Sequence, residues 1–164
     1  MIDQYIRQYG KRLYGLCLSL CANTFEADDL YQDTWLQVVK NISQYDPSRA
    51  FEPWLTKICV NTYRNTLRRI SRSPLLSFQS NAEKDAFLQS VPALEQPDYS
   101  PLYEAVDQLS EKLRLAVILF YFEGMDIAAT AQVLGIPEGT VKSRLNKARR
   151  LLKEVLDRET DLQF

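Results

Sequence analysis

Residues Gly135 to Lys153 leave little freedom for the fold of the last third of this chain. Val141, Leu145, Ala148, Leu152 and Val155 recur at helical spacing and make one apolar stripe. With a turn of about 100° per residue, Ser143, Asn146, Lys147 and Arg150 fall on the opposite side. Lys142 and Arg149 flank that side along one edge, Thr140 and Arg144 along the other, and no acid interrupts Lys142 to Lys153. Upstream, Asp126 is placed to cap a short helix, Gly135 to end it in the left-handed conformation, and Pro137 to begin the next. Two helices joined by so short a turn, the second with a basic polar face, predict a helix-turn-helix whose face enters a major groove. A merely solvated face would explain the charges. It would not explain the capped two-helix unit, or the small polar Thr140, Ser143 and Asn146 suited to base edges.

The N-terminal part reads as helix throughout. Ile2, Tyr5, Ile6, Tyr9, Leu13, Leu16, Cys17 and Leu20 form a first amphipathic stripe, ending near Asn23-Thr24. A second helix is predicted from about Phe25 to Ile42, with Ala27, Leu30, Tyr31, Thr34, Trp35 and Val38 inward. Gln44 to Arg49 is a turn-forming loop around Pro47, and a third helix runs from near Phe51 to about Arg72. From Pro74 to about Tyr99, prolines, serines and glutamines replace any sustained period, which reads as a linker with a short helix around Ala82 to Leu88. A second helical domain then opens with Ser100 as cap and Pro101 as first residue. Val106, Leu109, Leu113, Ala116, Val117 and Phe120 supply its core, and Gly124 ends its second helix. The expected architecture is all-α: domains at 1–73 and 100–164 joined by a flexible linker at 74–99.

Charge is segregated along the 164 residues although the net charge is only −1. Lys57, Arg64, Arg68, Arg69 and Arg72 form one basic block, whereas between Pro74 and Ser110 Lys84 alone faces Glu83, Asp85, Glu95, Asp98, Glu104 and Asp107. Two basic segments around an acidic connector point to two contacts with a polyanion. The chain has no histidine, three cysteines without a Cys-x-x-Cys pair, and no glycine-rich phosphate loop. No metal site, cofactor or catalytic residue is therefore expected, and Cys17 and Cys21 read as buried thiols on the first helix. No apolar run is long enough to span a bilayer and Asp3, Gln4 and Arg7 exclude a signal peptide at the start, so cytoplasmic residence without membrane insertion is expected.

Two polar faces need more than solvation. On the second helix the outward face holds Asp29, Gln32, Asp33 and Leu36, with Asp28 at its edge. Acids near a helix start favour the dipole, and an exposed leucine alone carries little information. A leucine ringed by acids and a glutamine is equally the anatomy of a docking patch, and the residues alone leave both readings open. On the third helix Lys57, Asn61, Arg64 and Arg68 share one stripe with Asn65 beside it. Asparagine is a mediocre helix former, but its amide reads base edges while Arg and Lys hold phosphates. Tyr45, in the preceding loop, offers a ring to an unstacked base.

Leu134 to Leu145, continued by Lys147-Ala148-Arg149, closely resembles the C-terminal DNA-binding signature of bacterial extracytoplasmic-function sigma factors. Glu26 to Trp35 resembles the segment of that family that grips the clamp coiled coil of core RNA polymerase. Phe51 to Asn61 resembles the segment after the promoter-melting loop, and Asn61 to Arg69 fall where the family reads the −10 element. These motifs stand in the family's order and span nearly the whole sequence. Nothing in it resembles the extra N-terminal region or middle domain of housekeeping members, as in the compact subgroup.

The resemblance implies an alternative sigma factor with no covalent chemistry of its own, and a division of labour. Asp29, Gln32, Asp33 and Leu36 would dock on the polymerase clamp. Tyr45, Asp46, Ser48 and Arg49 would line the loop that captures a flipped base, with Asn61 beneath it and Lys57, Arg64, Asn65 and Arg68 along the −10 DNA. Asn65 departs from the aspartate many members carry there. Lys142, Ser143, Asn146 and Lys147 would face −35 bases with Thr140 at their edge, and Arg144, Arg149 and Arg150 would lie mostly on phosphates. The apolar surface near Leu113 to Phe122 would rest on the polymerase flap, the linker would thread toward the RNA exit path, and an anti-sigma factor would hide both faces. Two rivals make different predictions. A conventional helix-turn-helix regulator binds duplex tightly without polymerase, and a nucleic-acid-processing enzyme loses activity when Asp29 and Asp33 are neutralised.

Overall fold

The computed structural model describes residues 2–71 and 100–162, all helical or loop, in two compact units. The first unit packs three helices, α1 (Ile2–Leu20), α2 (Thr24–Asn41) and α3 (Phe51–Ser71). Leu13, Leu16, Cys17 and Leu20 of α1 meet Ala27, Leu30, Trp35 and Val38 of α2 and Leu55, Cys59, Val60 and Tyr63 of α3 in one core. Gly10 sits where α1 crosses α2: a Cβ there would lie 3.0 Å from the Tyr31 hydroxyl, a tight contact that the tyrosine would have to ease by a few tenths of an ångström.

The first helix ends at Leu20, earlier than its periodicity predicts. The reason is the cap of the next helix: the Asn23 side chain accepts from the Glu26 amide at 2.8 Å, and the Glu26 carboxylate accepts from the Ala22 amide at 3.2 Å. After α2 a 3₁₀ turn, Ile42–Gln44, leads into the loop before α3. That loop rests on an aromatic cluster in which Phe51 stacks on Tyr5 at 4.1 Å and Tyr45 lies 5.0 Å from Trp54. All three cysteines are free and buried, with the Cys17 and Cys59 sulfurs 3.9 Å apart. The hydrogen bond to Cys59, followed by burial, pushes the Cys17 thiol far above its ordinary pKa.

The second unit comprises α4 (Ser100–Asp107), α5 (Glu111–Val117), α6 (Ile127–Leu134) and α7 (Glu138–Leu162). Between α5 and α6 the chain widens into a π-helical turn, Ile118–Phe122, closed by the Glu123 amide on the Ile118 carbonyl at 2.9 Å. Periodicity did not reveal this turn, and it changes the expected surface. Leu113 through Leu119 are buried, so what remains exposed of the Leu113–Phe122 segment is Tyr121 and Phe122, joined by Tyr103 with its ring 5.8 Å from Phe122. Gly124 and Gly135 both take φ near +68°, ending their helices as their positions predict. Asp126 caps α6 by accepting from the Ala129 amide at 2.7 Å. Pro137 lies one residue before α7 rather than inside it, and its carbonyl accepts from Thr140 and Val141 at 3.0 and 3.2 Å. The stripe Val141, Leu145 and Ala148 is fully buried, which seats α7 against the unit. A leucine in such a place typically contributes ~2–5 kcal/mol relative to alanine. The short helix expected around Ala82 to Leu88 lies outside the described residues.

Candidate nucleic-acid and partner interfaces

Because α2 gives its inner stripe to the core, its other side has only polar and stray apolar groups to show. Asp29 and Gln32 are exposed, Asp33 is half-buried, and Leu36 is 58% exposed. Leu36 has company that the sequence reading missed: Phe25 is 64% and Val39 52% exposed. At helical spacing these three fall within one face: Leu36 and Val39 are neighbours on it, Phe25 lies three turns towards the helix start beyond Asp29 and Gln32, and Asp28 and Lys40 stand at its edges. The signal was available in the spacing of Phe25, Leu36 and Val39. Asp28 has a local partner, since its carboxylate accepts from the Tyr14 hydroxyl at 2.7 Å, which raises the tyrosine pKa.

Asp33 stands apart from that face. With Gln37 and Asn41 it forms one wall of a groove whose other wall is Ile58, Asn61, Thr62, Asn65, Thr66 and Arg69 of α3. The groove encloses about 500 Å³. Its walls are mostly amides and hydroxyls, with a carboxylate on one side and a guanidinium on the other. Thr62 and Thr66 turn their hydroxyls back on the carbonyls of Ile58 and Thr62, at 2.8 and 3.0 Å. The Asn41 amide is likewise held by the Gln37 carbonyl at 2.8 Å. Asn61 and Asn65 are exposed along this groove; Lys57 and Arg68 are exposed and Arg64 half-buried on the same helix, but these three do not line the groove.

The loop before α3 is organised by its own side chains. The Asp46 carboxylate accepts from the Ser48 hydroxyl at 2.7 Å and from the Ser48 amide at 3.0 Å, and these bonds hold its pKa below the ordinary carboxylate value. Arg49 donates its amide to the Asp46 carbonyl at 3.0 Å and keeps an exposed ion pair with its carboxylate at 3.8 Å. The Tyr45 hydroxyl donates to the Arg49 carbonyl, and its ring is half-buried against Phe51 and Trp54. The ring therefore braces the loop and offers only part of its surface to a base.

On the second unit, Lys142, Ser143, Asn146, Lys147, Arg149 and Arg150 are exposed along α7, with Thr140 and Arg144 half-buried at the border of the buried stripe. Arg149 is not a loose cation. It donates to the Tyr121 hydroxyl, and a second nitrogen donates to Asn146 Oδ1 at 3.0 Å. This convex ridge of donors has the width of one helix, which the major groove of B-form DNA admits. Among the described residues no cluster of metal-ligating side chains occurs, and no helix is long and apolar enough to cross a membrane.

Comparison with known proteins bears on both units. Residues 5–73 match the model of sigma-70 region 2, and residues 99–152 match that of sigma-70 region 4. The ECF RNA polymerase sigma factor SigE of Mycolicibacterium smegmatis is 30% identical over 94% of this chain, which spans 61% of that protein. The RNA polymerase sigma-H factor of Pseudomonas aeruginosa is also 30% identical, over 94% of this chain and 85% of its own length. The sigma factor RpoE of Bartonella quintana, solved in complex with the anti-sigma factor NepR, superposes with a TM-score of 0.77 at 27% identity, covering 94% of this chain and 96% of that one.

Proposed function

The chain belongs to the extracytoplasmic-function sigma factors of the sigma-70 family, and from that premise we propose how its faces divide the work of starting transcription. As an alternative sigma factor it binds core RNA polymerase and directs promoter recognition, DNA melting and initiation. The reading assigns residues 1–73 to polymerase docking and the −10 element, 74–99 to a linker, and 100–164 to the −35 element. It takes no cofactor and carries out no covalent step.

The observation that carries the residue-level reading is the separation of two unlike faces on the first unit. The face of Leu36 and Val39, with Asp29 and Gln32 between them and Phe25, has the apolar centre and polar rim of a protein interface. It is the docking face for the clamp, and Asp33 marks its border with the groove. The groove between α2 and α3 is a different kind of surface, concave and amide-lined, sized for a single extruded base rather than a duplex. Asn61 and Asn65 read the base, Lys57, Arg64 and Arg68 hold its backbone, and the Tyr45–Arg49 loop closes over it, with Asp46 and Ser48 keeping the loop in shape. On the second unit Lys142, Ser143, Asn146 and Lys147 meet −35 base edges, with Thr140 beside them and Arg144, Arg149 and Arg150 on phosphates. The exposed Tyr103 and Phe122 rest on the flap, while Tyr121 faces Arg149 of α7.

An anti-sigma factor is the expected regulator, because a relative of this fold was captured with one. A protein that acts on promoter DNA with core polymerase works, on this reading, in the cytoplasm. The test is in vitro transcription of genomic DNA by core polymerase with and without the chain, mapping start sites. Addition should create a discrete set of starts sharing two sequence elements. Starts that are unchanged by the chain would overturn the reading.

A further inference from the structure

We propose that Tyr121, which lies outside the recognition helix, determines which end of the Asn146 amide faces the −35 bases, acting through Arg149. The inference rests on the −35 reading of α7 and names a positioning residue within it. Tyr121 sits at the end of the π-helical turn, its ring edge-on to Phe120 at 5.0 Å. From there it meets Arg149 twice: the Arg149 Nε donates to the tyrosine oxygen, and the guanidinium carbon lies 5.5 Å from the ring centroid. The same guanidinium donates from another nitrogen to Asn146 Oδ1 at 3.0 Å. A residue 28 positions away in sequence from Arg149 thus fixes a side chain on the base-reading face.

The chemistry of the two groups decides the direction. A guanidinium has five donors and no acceptor, so an amide facing it must turn its oxygen inward. The Asn146 NH2 group is then the end left for DNA. An asparagine reads adenine through both ends, accepting from N6 and donating to N7. With Oδ1 turned toward Arg149 and one of its two lone pairs taken, Asn146 reaches the bases chiefly as a donor and favours guanine (O6 and N7) or thymine (O4) over adenine, whose N7 acceptor stands beside an N6 donor left without a partner. Cytosine presents a donor there and is disfavoured. Without the tyrosine oxygen, Arg149 is no longer held toward Asn146, and the amide is free to turn.

The experiment uses the full chain with core polymerase and a pool of double-stranded promoter fragments randomised across the −35 element, reading transcript abundance by base at each position. Asn146→Ala identifies the position that this residue reads. At that position the wild type should prefer guanine or thymine. Tyr121→Phe, which keeps the ring and removes the oxygen, should lower that preference about tenfold and raise adenine, with discrimination elsewhere in the element and the thermal midpoint unchanged. Arg149→Lys, which keeps the charge and loses the fork, should shift the same position in the same sense. A preference altered by Asn146→Ala but untouched by Tyr121→Phe overturns the coupling alone. A wild-type preference that survives Asn146→Ala overturns base reading by Asn146 and the coupling together. Equal loss of discrimination across the whole element in Tyr121→Phe also overturns the coupling, because a damaged fold gives that result and a turned amide does not.

Discussion

Helices α3 and α7 carry much the same residues, Lys, Arg and Asn on an outward stripe, yet the two surfaces have different shapes. α7 rises from its unit on a fully buried seam of Val141, Leu145 and Ala148, so its polar side is a ridge. α3 lies beside α2, and the parallel rows Asp33-Gln37-Asn41 and Ile58-Asn61-Asn65 make its polar side one wall of a trough. A ridge the width of a helix enters duplex DNA without disturbing the pairing. On the proposed reading, the concave, amide-lined trough takes DNA that has already lost its pairing. Residue type does not separate the two helices; what stands next to each one does.

The strongest way to break this comparison is to show that the first unit has no second face beside the trough. Leu36→Arg puts a cation in the middle of the Phe25–Val39 stripe and should weaken core polymerase binding at least about a hundredfold, or ~3 kcal/mol, while circular dichroism stays unchanged. Unaltered affinity in a fluorescence titration would remove docking from α2. On the ridge, Lys147→Ala should cost ~1–3 kcal/mol in promoter binding and relax preference at one −35 position if the side chain reads a base. A uniform loss across promoters, with a shallower salt dependence, would assign it to phosphate instead.

In the trough, Asn61→Ala should slow open-complex formation about tenfold, ~1.4 kcal/mol, while leaving the initial duplex complex nearly as tight. Permanganate footprinting against time separates the two steps, and an equal effect on both would make the trough another duplex-binding surface. A smaller effect probes how the ridge is aimed. Gly135→Ala meets no neighbour within 4 Å, so its cost of ~1 kcal/mol should come from the left-handed φ alone and appear as a lower thermal midpoint. The smallest effect concerns the loop over the trough. Asp46 titrates below its ordinary value because Ser48 holds its charged form. Its contribution is complete above the unfolded carboxylate pKa of ~3.9 and is lost as pH falls through the lower folded value. Loss of protection of the Ser48 amide, measured as its exchange rate relative to the intrinsic rate at each pH, should therefore appear only in that acidic window, and not between pH 5 and 8.

Most of the helices, and the sidedness of each, were legible because burial repeats with the helical period. Asp126 and Gly135 announced the turn before α7 through local chemistry that needs no tertiary partner. The Asn23–Glu26 cap was equally local and was passed over, which is why the first helix was read three residues too long. What stayed hidden depends on groups far apart in sequence. A helical wheel puts Asp33 with Leu36, but it cannot show that α3 lies against that edge of α2. It gives Tyr45 an open ring because Tyr5 and Trp54 are not on the wheel. A one-residue widening at Ile118–Phe122 has no signature in hydrophobic spacing. It is nevertheless what puts Tyr121 beside Arg149.

The thiols sealed between α1 and α3 have a bearing on when such a protein can work. Peroxides and related oxidants attack sulfur in its deprotonated state, and the hydrogen bond to Cys59 together with burial keeps that state scarce at Cys17. Oxidative insult therefore finds no ready trigger at Cys17.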